Sequence, residues 1–283
     1  MVEIVLLTVC ILPLIITANL AEAHQRLSPF LAVLTFGIVK FSGLWLLFAQ
    51  VVKRLSWSTG VGFDAQKPVH RTAAFLMILG FLNFGFTILI NESTSEDAPV
   101  ALAEALPELL GAGALHLAAA CLGVGWLMRR TVADLLERLD LRRPSLKEAG
   151  ISIVVGGGLW LMTTALVAIW ERSVPAEVFL RQTAEAQRYF AAFSGSVITA
   201  LLLAIIPAVS EEVFYRGALQ PIFGVLLSSL FFTVTHTQYG LTPATLILFV
   251  VSLGFAWLRS RYHTSAAILA HAVFNFLPYL AGS

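Results

Sequence analysis

Three short stretches of the chain place ionisable and amide side chains inside sequence that is otherwise apolar. They are "EEVFYR" at 211–216, "FTVTH" at 232–236 and "HAVFN" at 271–275. In the second and third, the first and last residues are four positions apart and therefore share one face of a helix. A carboxylate in an apolar pocket has its pKa raised toward neutral pH, and an imidazole beside it can share its proton. These residue types therefore predict acid–base chemistry.

The first stretch assigns different roles to its two glutamates. Glu212 and Arg216 are four apart on a helix, so they can form an ion pair. Glu211 is rotated by about 100° from Glu212 on an α-helix. We therefore expect Glu212 and Arg216 to neutralise each other and Glu211 to face elsewhere, toward His236, His271 and Asn275 at a similar depth in the membrane.

The elements that position these residues are membrane-spanning helices. The chain has 283 residues, of which 58% are hydrophobic and only 12% are charged. Apolar runs near the spanning length of roughly 20 residues recur along it. The predicted fold is an all-α, polytopic transmembrane bundle of about eight to nine spans. A net charge of +1 argues against a nucleic-acid surface.

Hydropathy and the distribution of basic residues predict the topology. The loops after the second and fourth spans are rich in Lys and Arg, so both are expected in the cytoplasm, together with the N-terminus. The segment 171–193 is expected to be an outside loop. The predicted spans are approximately 4–21, 30–52, 72–91, 109–128, 150–170, 194–219, 225–241, 243–258 and 264–281.

Local patterns predict several further features. The segment 131–150 reads as a short amphipathic helix at the membrane interface and a new helix start, where Ser145 and Glu148 have capping-box spacing. Glycines 156–158 are expected to permit close helix packing. His116 is expected in the bundle interior without a catalytic role, and His263, in a loop, is expected to be solvated.

The three stretches resemble the motifs of the CAAX-protease and bacteriocin-processing (CPBP, Abi) family of intramembrane proteases. The family patterns are Glu-Glu-x-x-x-Arg, Phe-x-x-x-His and His-x-x-x-Asn, and they occur here in that order. The resemblance covers about residues 150–283 and divides the chain into N-terminal helices, 1–149, and a protease core, 150–283. It implies a multi-pass protein of a prokaryotic plasma membrane.

The resemblance also implies a role for each motif residue. Glu211 and His236 would activate a water molecule, and His271 and Asn275 would bind the oxyanion that develops on the cleaved peptide. Glu212 and Arg216 would form the structural pair, and Phe232 would pack against His236. The implied partner is a peptide or protein substrate in or at the membrane. Bacteriocin maturation, self-immunity and processing of a membrane-bound regulator fit a prokaryote better than cleavage of prenylated proteins.

The cofactor is open at this stage. Two His and one Glu, here Glu211, His236 and His271, match the ligand set of catalytic zinc sites. The compact His-Glu-x-x-His pattern is absent from the sequence. Similar proteins have been interpreted both as metalloproteases and as metal-free glutamate proteases, and we favour the metal-free interpretation.

Two other functions use the same residues. Buried Glu and His groups also mark proton or ion pathways in transporters, although the chain shows no internal repeat of the kind many transporters carry. A non-catalytic immunity protein of the same family is the other alternative. Since every motif position is retained, the protease is the function we expect.

Overall fold

A computed structural model describes residues 62–64, 66–90 and 100–282 of the chain. The chain divides into two compact units, Met1–Ile90 and Asn91–Ser283. In the first unit the described residues contain one helix, α1, at Pro68–Ile90. The predicted spans 4–21 and 30–52 lie outside the described residues, and the predicted core boundary at residue 150 stays a prediction.

The second unit is built from helices, and none of its described residues forms a β-strand. The helices are α2 (Leu102–Gly123), α3 (Val132–Arg138), α4 (Leu146–Ser173), α5 (Ala176–Phe193), α6 (Val197–Glu211), α7 (Gln220–Thr235), α8 (Pro243–Arg261) and α9 (Thr264–Ala281). A π-helix, Glu212–Leu219, joins α6 to α7, and a short 3-10 helix, Thr237–Tyr239, follows α7. The predicted all-α fold is confirmed.

Five helical stretches in the described residues are long and apolar enough to cross a membrane. They are Leu102–Gly123, Leu146–Ser173, Val197–Thr235, Pro243–Arg261 and Thr264–Ala281. The chain is therefore a multi-pass membrane protein, and the predicted number of spans stays a prediction.

The stretch Val197–Thr235 contains the two predicted spans 194–219 and 225–241. Helical structure continues between them, since α7 begins at Gln220 and tolerates Pro221 in its first turn. Gly224 has φ 77° and ψ 175°, a backbone conformation that is essentially restricted to glycine, and the helix kinks there. The predicted end at residue 241 is wrong, because α7 ends at Thr235.

The segment 171–193, expected to be a loop, is largely the helix α5. Its sequence spaces Glu and Arg four residues apart, as in Glu177 and Arg181, and buries Phe179 and Phe193. An amphipathic helix of this kind is too polar to register as a span, so hydropathy alone does not distinguish it from a loop.

The segment 131–150 forms the predicted elements. Thr131 and Asp134 close a capping box at the start of α3. Ser145 and Glu148 close the predicted capping box at the start of α4. The buried side chains of α3 pack with α2 and with the π-helix in one core cluster, whose buried members are Ala120, Val124, Leu135, Leu139, Val213 and Ala218.

His263 is fully buried at the start of α9, so the expectation that it is solvated is wrong. Its Nδ1 accepts the backbone N–H of Ala266 at 3.1 Å and caps the helix. Burial, and then the charge of Arg142, lowers the pKa of His263. The uncharged ring is the form that can accept this hydrogen bond.

Close packing holds α9 against α4. A Cβ placed on Gly156 would collide with the backbone carbonyl oxygen of Ala270, so the predicted role in close packing is confirmed for this glycine. Gly158, half a turn further along α4, has open space around the same position. Ala270 directly precedes His271, so this close contact lies next to the third motif.

We expect Gly156→Ala to destabilise the protein by about 1–3 kcal/mol, because the added methyl group must separate two packed backbones. Gly158→Ala is the matched control, and it should be neutral or stabilising by up to about 1 kcal/mol, since alanine favours helix more than glycine does. Thermal unfolding of both variants in the same detergent measures the difference. Equal unfolding temperatures would contradict the close contact.

Candidate functional site

The first motif lies where an α-helix changes to a π-helix. Glu211 is the last residue of α6, and Glu212 begins the π-helix, which continues to Leu219. The i→i+5 bonding of a π-helix is rare and is found often at functional sites. An ordinary α-helix was predicted here; instead, the two glutamates are adjacent in sequence but belong to different helical geometries.

Glu212 and Arg216 are both fully buried and form the expected ion pair. The Nε atom of Arg216 lies 3.1 Å from Oε2 of Glu212. The contact is not aligned as a hydrogen bond. Arg216 instead donates through Nη2 to the hydroxyl of Ser252 at 2.9 Å and to its carbonyl oxygen at 3.2 Å. The pair therefore ties the π-helix to α8.

The same carboxylate contacts His271, which was predicted to face Glu211. Nδ1 of His271 lies 2.9 Å from Oε1 of Glu212. Because Glu212 is paired with an arginine, it is ionised and can only accept, so Nδ1 carries the proton. Glu212 therefore has the expected partner Arg216 and a second partner, His271, that was not predicted. A charge buried this deeply needs ion-pair and hydrogen-bond partners to offset the free-energy cost of removing it from water.

Glu211 and His236 form a second, more exposed pair. Nε2 of His236 lies 3.9 Å from Oε2 of Glu211, and the side chains are 20% and 15% exposed, respectively. Nδ1 of His236 donates to the carbonyl oxygen of Phe232 at 2.8 Å, which leaves a lone pair on Nε2 in the neutral ring. The separation is too long for a direct hydrogen bond, so the two groups can act on one molecule between them.

His236 lies just after the last residue of α7 and is not part of the helix. It occupies the position after α7, with non-helical φ −87° and ψ 64°. It was predicted to lie inside a span, one turn after Phe232 on the same face. The rings of Phe232 and His236 do meet, with centroids 4.5 Å apart.

Phe232 joins the two pairs. Its ring lies 5.0 Å from the Arg216 guanidinium carbon and 6.2 Å, centroid to centroid, from the His271 ring. It also meets the ring of Tyr215 at 5.1 Å, edge to face. Phe232 packs against His236 as expected, and it also lies between the buried pair and the exposed pair.

Asn275, one turn beyond His271 on α9, lines a cavity of about 450 Å³. The other walls are mostly apolar and come from α5, α6 and α9, and they are Gln187, Phe190, Ala191, Phe193, Ser194, Ala200, Leu203, Pro278 and Tyr279. Apolar cavities with a few polar groups are the usual form of ligand sites. The amphipathic helix α5 therefore contributes to the surroundings of a motif residue.

Two residues outside the motifs also approach the Glu211 and His236 pair. The ring of Tyr239 is nearly parallel to that of His236, at 6.3 Å, and burial followed by the charge of Glu211 raises the pKa of Tyr239 to about 12. His116 on α2 packs against Phe214 at 5.2 Å and is within electrostatic reach of both Glu211 and His236. No sequence spacing signals either residue, because each comes from a different element.

The donor atoms do not gather as a metal site. Among residues 62–64, 66–90 and 100–282, no group of three or more His, Cys, Asp and Glu side chains is arranged to hold an ion. The predicted ligands Glu211, His236 and His271 are divided between the two pairs, since His271 is bonded to Glu212. The residues as placed do not fit a zinc ion.

The fold and the site define a class: a multi-pass helical membrane protein with two Glu/His pairs inside its bundle. Residues 193–277 match the family model described as "Type II CAAX prenyl endopeptidase Rce1-like". This part of the chain is thus similar to the Type II CAAX prenyl endopeptidases, and all three motifs lie within the match. No curated protein and no solved structure matches the chain.

The two adjacent glutamates should respond differently to the same substitution. Glu212→Gln leaves the Arg216 charge buried without its counter-ion, so we expect a loss of about 3–5 kcal/mol in stability. Glu211→Gln removes a charge that is partly exposed and has no buried cation to neutralise, so its unfolding temperature should stay close to wild type. Thermal unfolding of the two variants side by side tests this, and a Glu212 variant as stable as wild type would argue against the buried pair.

Proposed function

We propose that the protein is an intramembrane endopeptidase that hydrolyses a peptide bond in a membrane-associated peptide or protein. Glu211 and His236 activate water, and His271 and Asn275 bind the oxyanion. The observation that carries the proposal is the 3.9 Å separation of Oε2 of Glu211 and Nε2 of His236. Both side chains are partly exposed, whereas the neighbouring Glu212 is fully buried.

Water activation follows from the hydrogen-bonding capacity of this pair. A water between the two groups can donate one hydrogen to the Glu211 carboxylate and the other to Nε2 of His236. As the water oxygen attacks the peptide carbonyl carbon, its proton passes to Glu211 and the carbonyl π electrons move to the oxygen. The protonated Glu211 then returns this proton to the amine as the C–N bond breaks.

Oxyanion binding is the proposed work of the α9 residues. The Nδ1–H of His271 is held by Glu212 at 2.9 Å, which orients the ring and directs its Nε2 away from the buried pair. In the neutral ring Nε2 carries only a lone pair, so donation to an oxyanion requires a proton taken up at Nε2 from water in the site, and the carboxylate of Glu212 offsets the charge that this proton adds. The Asn275 amide, one turn away, supplies a second donor, and donors fixed in advance are worth most in a site that excludes water.

The buried pair has a positioning role in this proposal. Glu212 contacts His271 directly and is itself fixed by Arg216, which is bonded to Ser252 on α8. Phe232 fills the space between Arg216 and His236. The orientation of the proposed catalytic side chains therefore depends on two buried charges, Glu212 and Arg216, that do not contact the substrate.

Substitutions in the exposed pair test the catalytic roles. We expect Glu211→Gln and His236→Ala each to lower kcat by about 10²–10⁴-fold, the usual contribution of a positioned acid–base group. Glu171→Gln, an exposed glutamate near the end of α4, is the control and should cleave as wild type does. Cleavage of a peptide library in detergent or vesicles gives the measurement. Equal rates for all four proteins would reject the assignment.

The metal-free mechanism has its own test. Because the donors form two separate pairs, we expect purified protein stripped with a chelator to keep its full cleavage rate. Metal content is measured on the same sample. A rate that falls with chelation and returns when zinc is added would replace this mechanism with a metal-dependent one.

A further inference from the structure

A group of basic side chains surrounds α3, at the end of the bundle where α8 ends and α9 begins. We call it the basic face. Residues 129–148 and 259–261 contain eight basic side chains and four acidic ones. The basic ones are Arg129, Arg130, Arg138, Arg142, Arg143, Lys147, Arg259 and Arg261. Of the acidic ones, Asp134 and Glu148 are occupied in capping boxes.

Three of these guanidinium groups are anchored at neighbouring points. Arg130 donates through Nε to the carbonyl oxygen of Val124 at 2.8 Å. Arg138 donates through Nη1 to the carbonyl oxygen of Gly217 in the π-helix at 3.1 Å. Val124 and Ala218, the residue after Gly217, pack in the same core cluster, so both anchor points are next to that cluster. Arg259 is the third: its Nη1 lies 2.8 Å from Oδ2 of Asp140, which is two residues after Arg138.

The charge of this group is not neutralised within it. Asp140 is shared between Arg259 and Arg142, the latter at 3.5 Å. Burial, and then the like charges of Arg130 and Arg259, lowers the pKa of Arg138. Nε of Arg259 is buried without a hydrogen-bond partner among the described residues. The hydrogen bond of Arg130 to Val124, at the end of α2, uses one of its N–H groups. Each guanidinium has five N–H groups.

Apolar side chains are exposed immediately beside these cations. Leu127 is 74% exposed, Met128 60% and Val132 59%, and Leu146, at the start of α4, is 94% exposed. Leu127 has φ 65°, an uncommon conformation for a branched side chain, and it presents the leucine outward. Exposed apolar groups next to arginines are the pattern of a segment that lies in a membrane interface.

We propose that the basic face binds the headgroup of an anionic membrane lipid, with Arg130, Arg138 and Arg259 contacting its phosphate. Guanidinium groups bind phosphate oxygens through paired hydrogen bonds. The exposed leucine and methionine side chains would contact the acyl chains of the same lipid, which a soluble phosphate does not have. The site is separate from the proposed catalytic residues and does not depend on peptidase activity.

Binding of lipids to the purified, delipidated full-length chain tests the proposal. The probes are phosphatidylglycerol, phosphatidylcholine and free glycerol phosphate, titrated in a neutral detergent. We expect phosphatidylglycerol to bind more tightly than either of the others. Arg130→Gln and Arg138→Gln should each weaken its binding about fivefold, the usual contribution of one basic residue at an anionic surface. Arg172→Gln, in the last turn of α4, is the control and should bind as wild type does.

Each outcome decides the proposal. Equal affinity for phosphatidylglycerol and phosphatidylcholine would overturn it, as would an equal loss in the Arg172 control. Glycerol phosphate binding as tightly as the lipid would assign the face to a soluble anion instead. Since Arg138 also bonds to the π-helix, circular dichroism establishes that each variant is folded, and Arg130→Gln decides the question if the Arg138 variant does not fold.

Discussion

The arrangement depends on one carboxylate, that of Glu212, which has no exposure to solvent and must be stabilised inside the bundle. An ionised group in such a place is tolerated only when oppositely charged and hydrogen-bonding partners surround it. Here Arg216 supplies the charge and His271 supplies a hydrogen bond. The contact with His271 ties α9 to the π-helix, and Arg216, through its hydrogen bonds to Ser252, ties α8 to the same helix.

This constraint separates the two adjacent glutamates. Glu212 is committed to the interior, whereas Glu211 is left at the edge with a histidine that is itself held by a backbone carbonyl. Phe232 transmits the position of one pair to the other because its ring contacts Arg216 and His236 together. Glu212 thus stays fixed inside the bundle with its partners, while Glu211 remains partly exposed beside His236.

Sequence alone predicts the local parts of this structure well. The i,i+4 spacing of Glu212 and Arg216, the capping box at Ser145 and the close approach at Gly156 each depend on a short segment, and each is present. The three motifs also predict which helices carry the site. Helix geometry determines such features, and a short sequence pattern is enough to predict them.

The parts that escaped prediction are set by tertiary contacts. The bond between Glu212 and His271 joins residues that are 59 apart in sequence, and no pattern distinguished it from a contact with Glu211. The π-helix changes the direction of side chains without changing their spacing in sequence. Tyr239 reaches His236 from a 3-10 turn that hydropathy had merged into a span. Hydropathy also classed α5 as a loop, because its helical periodicity is amphipathic rather than apolar.

The sequence separation of the partners also affects how the protein is made. The ion pair of Glu212 with Arg216 is local, so it can form as soon as its own helix leaves the ribosome and enters the bilayer. His271 is synthesised later, on the last described helix. Since a charged side chain at the centre of a membrane costs about 2.5–3.5 kcal/mol on insertion scales, the early partner makes insertion of this helix possible. The late partner then completes the surroundings of Glu212, so insertion of the helix and final packing of the bundle depend on the same carboxylate at different times.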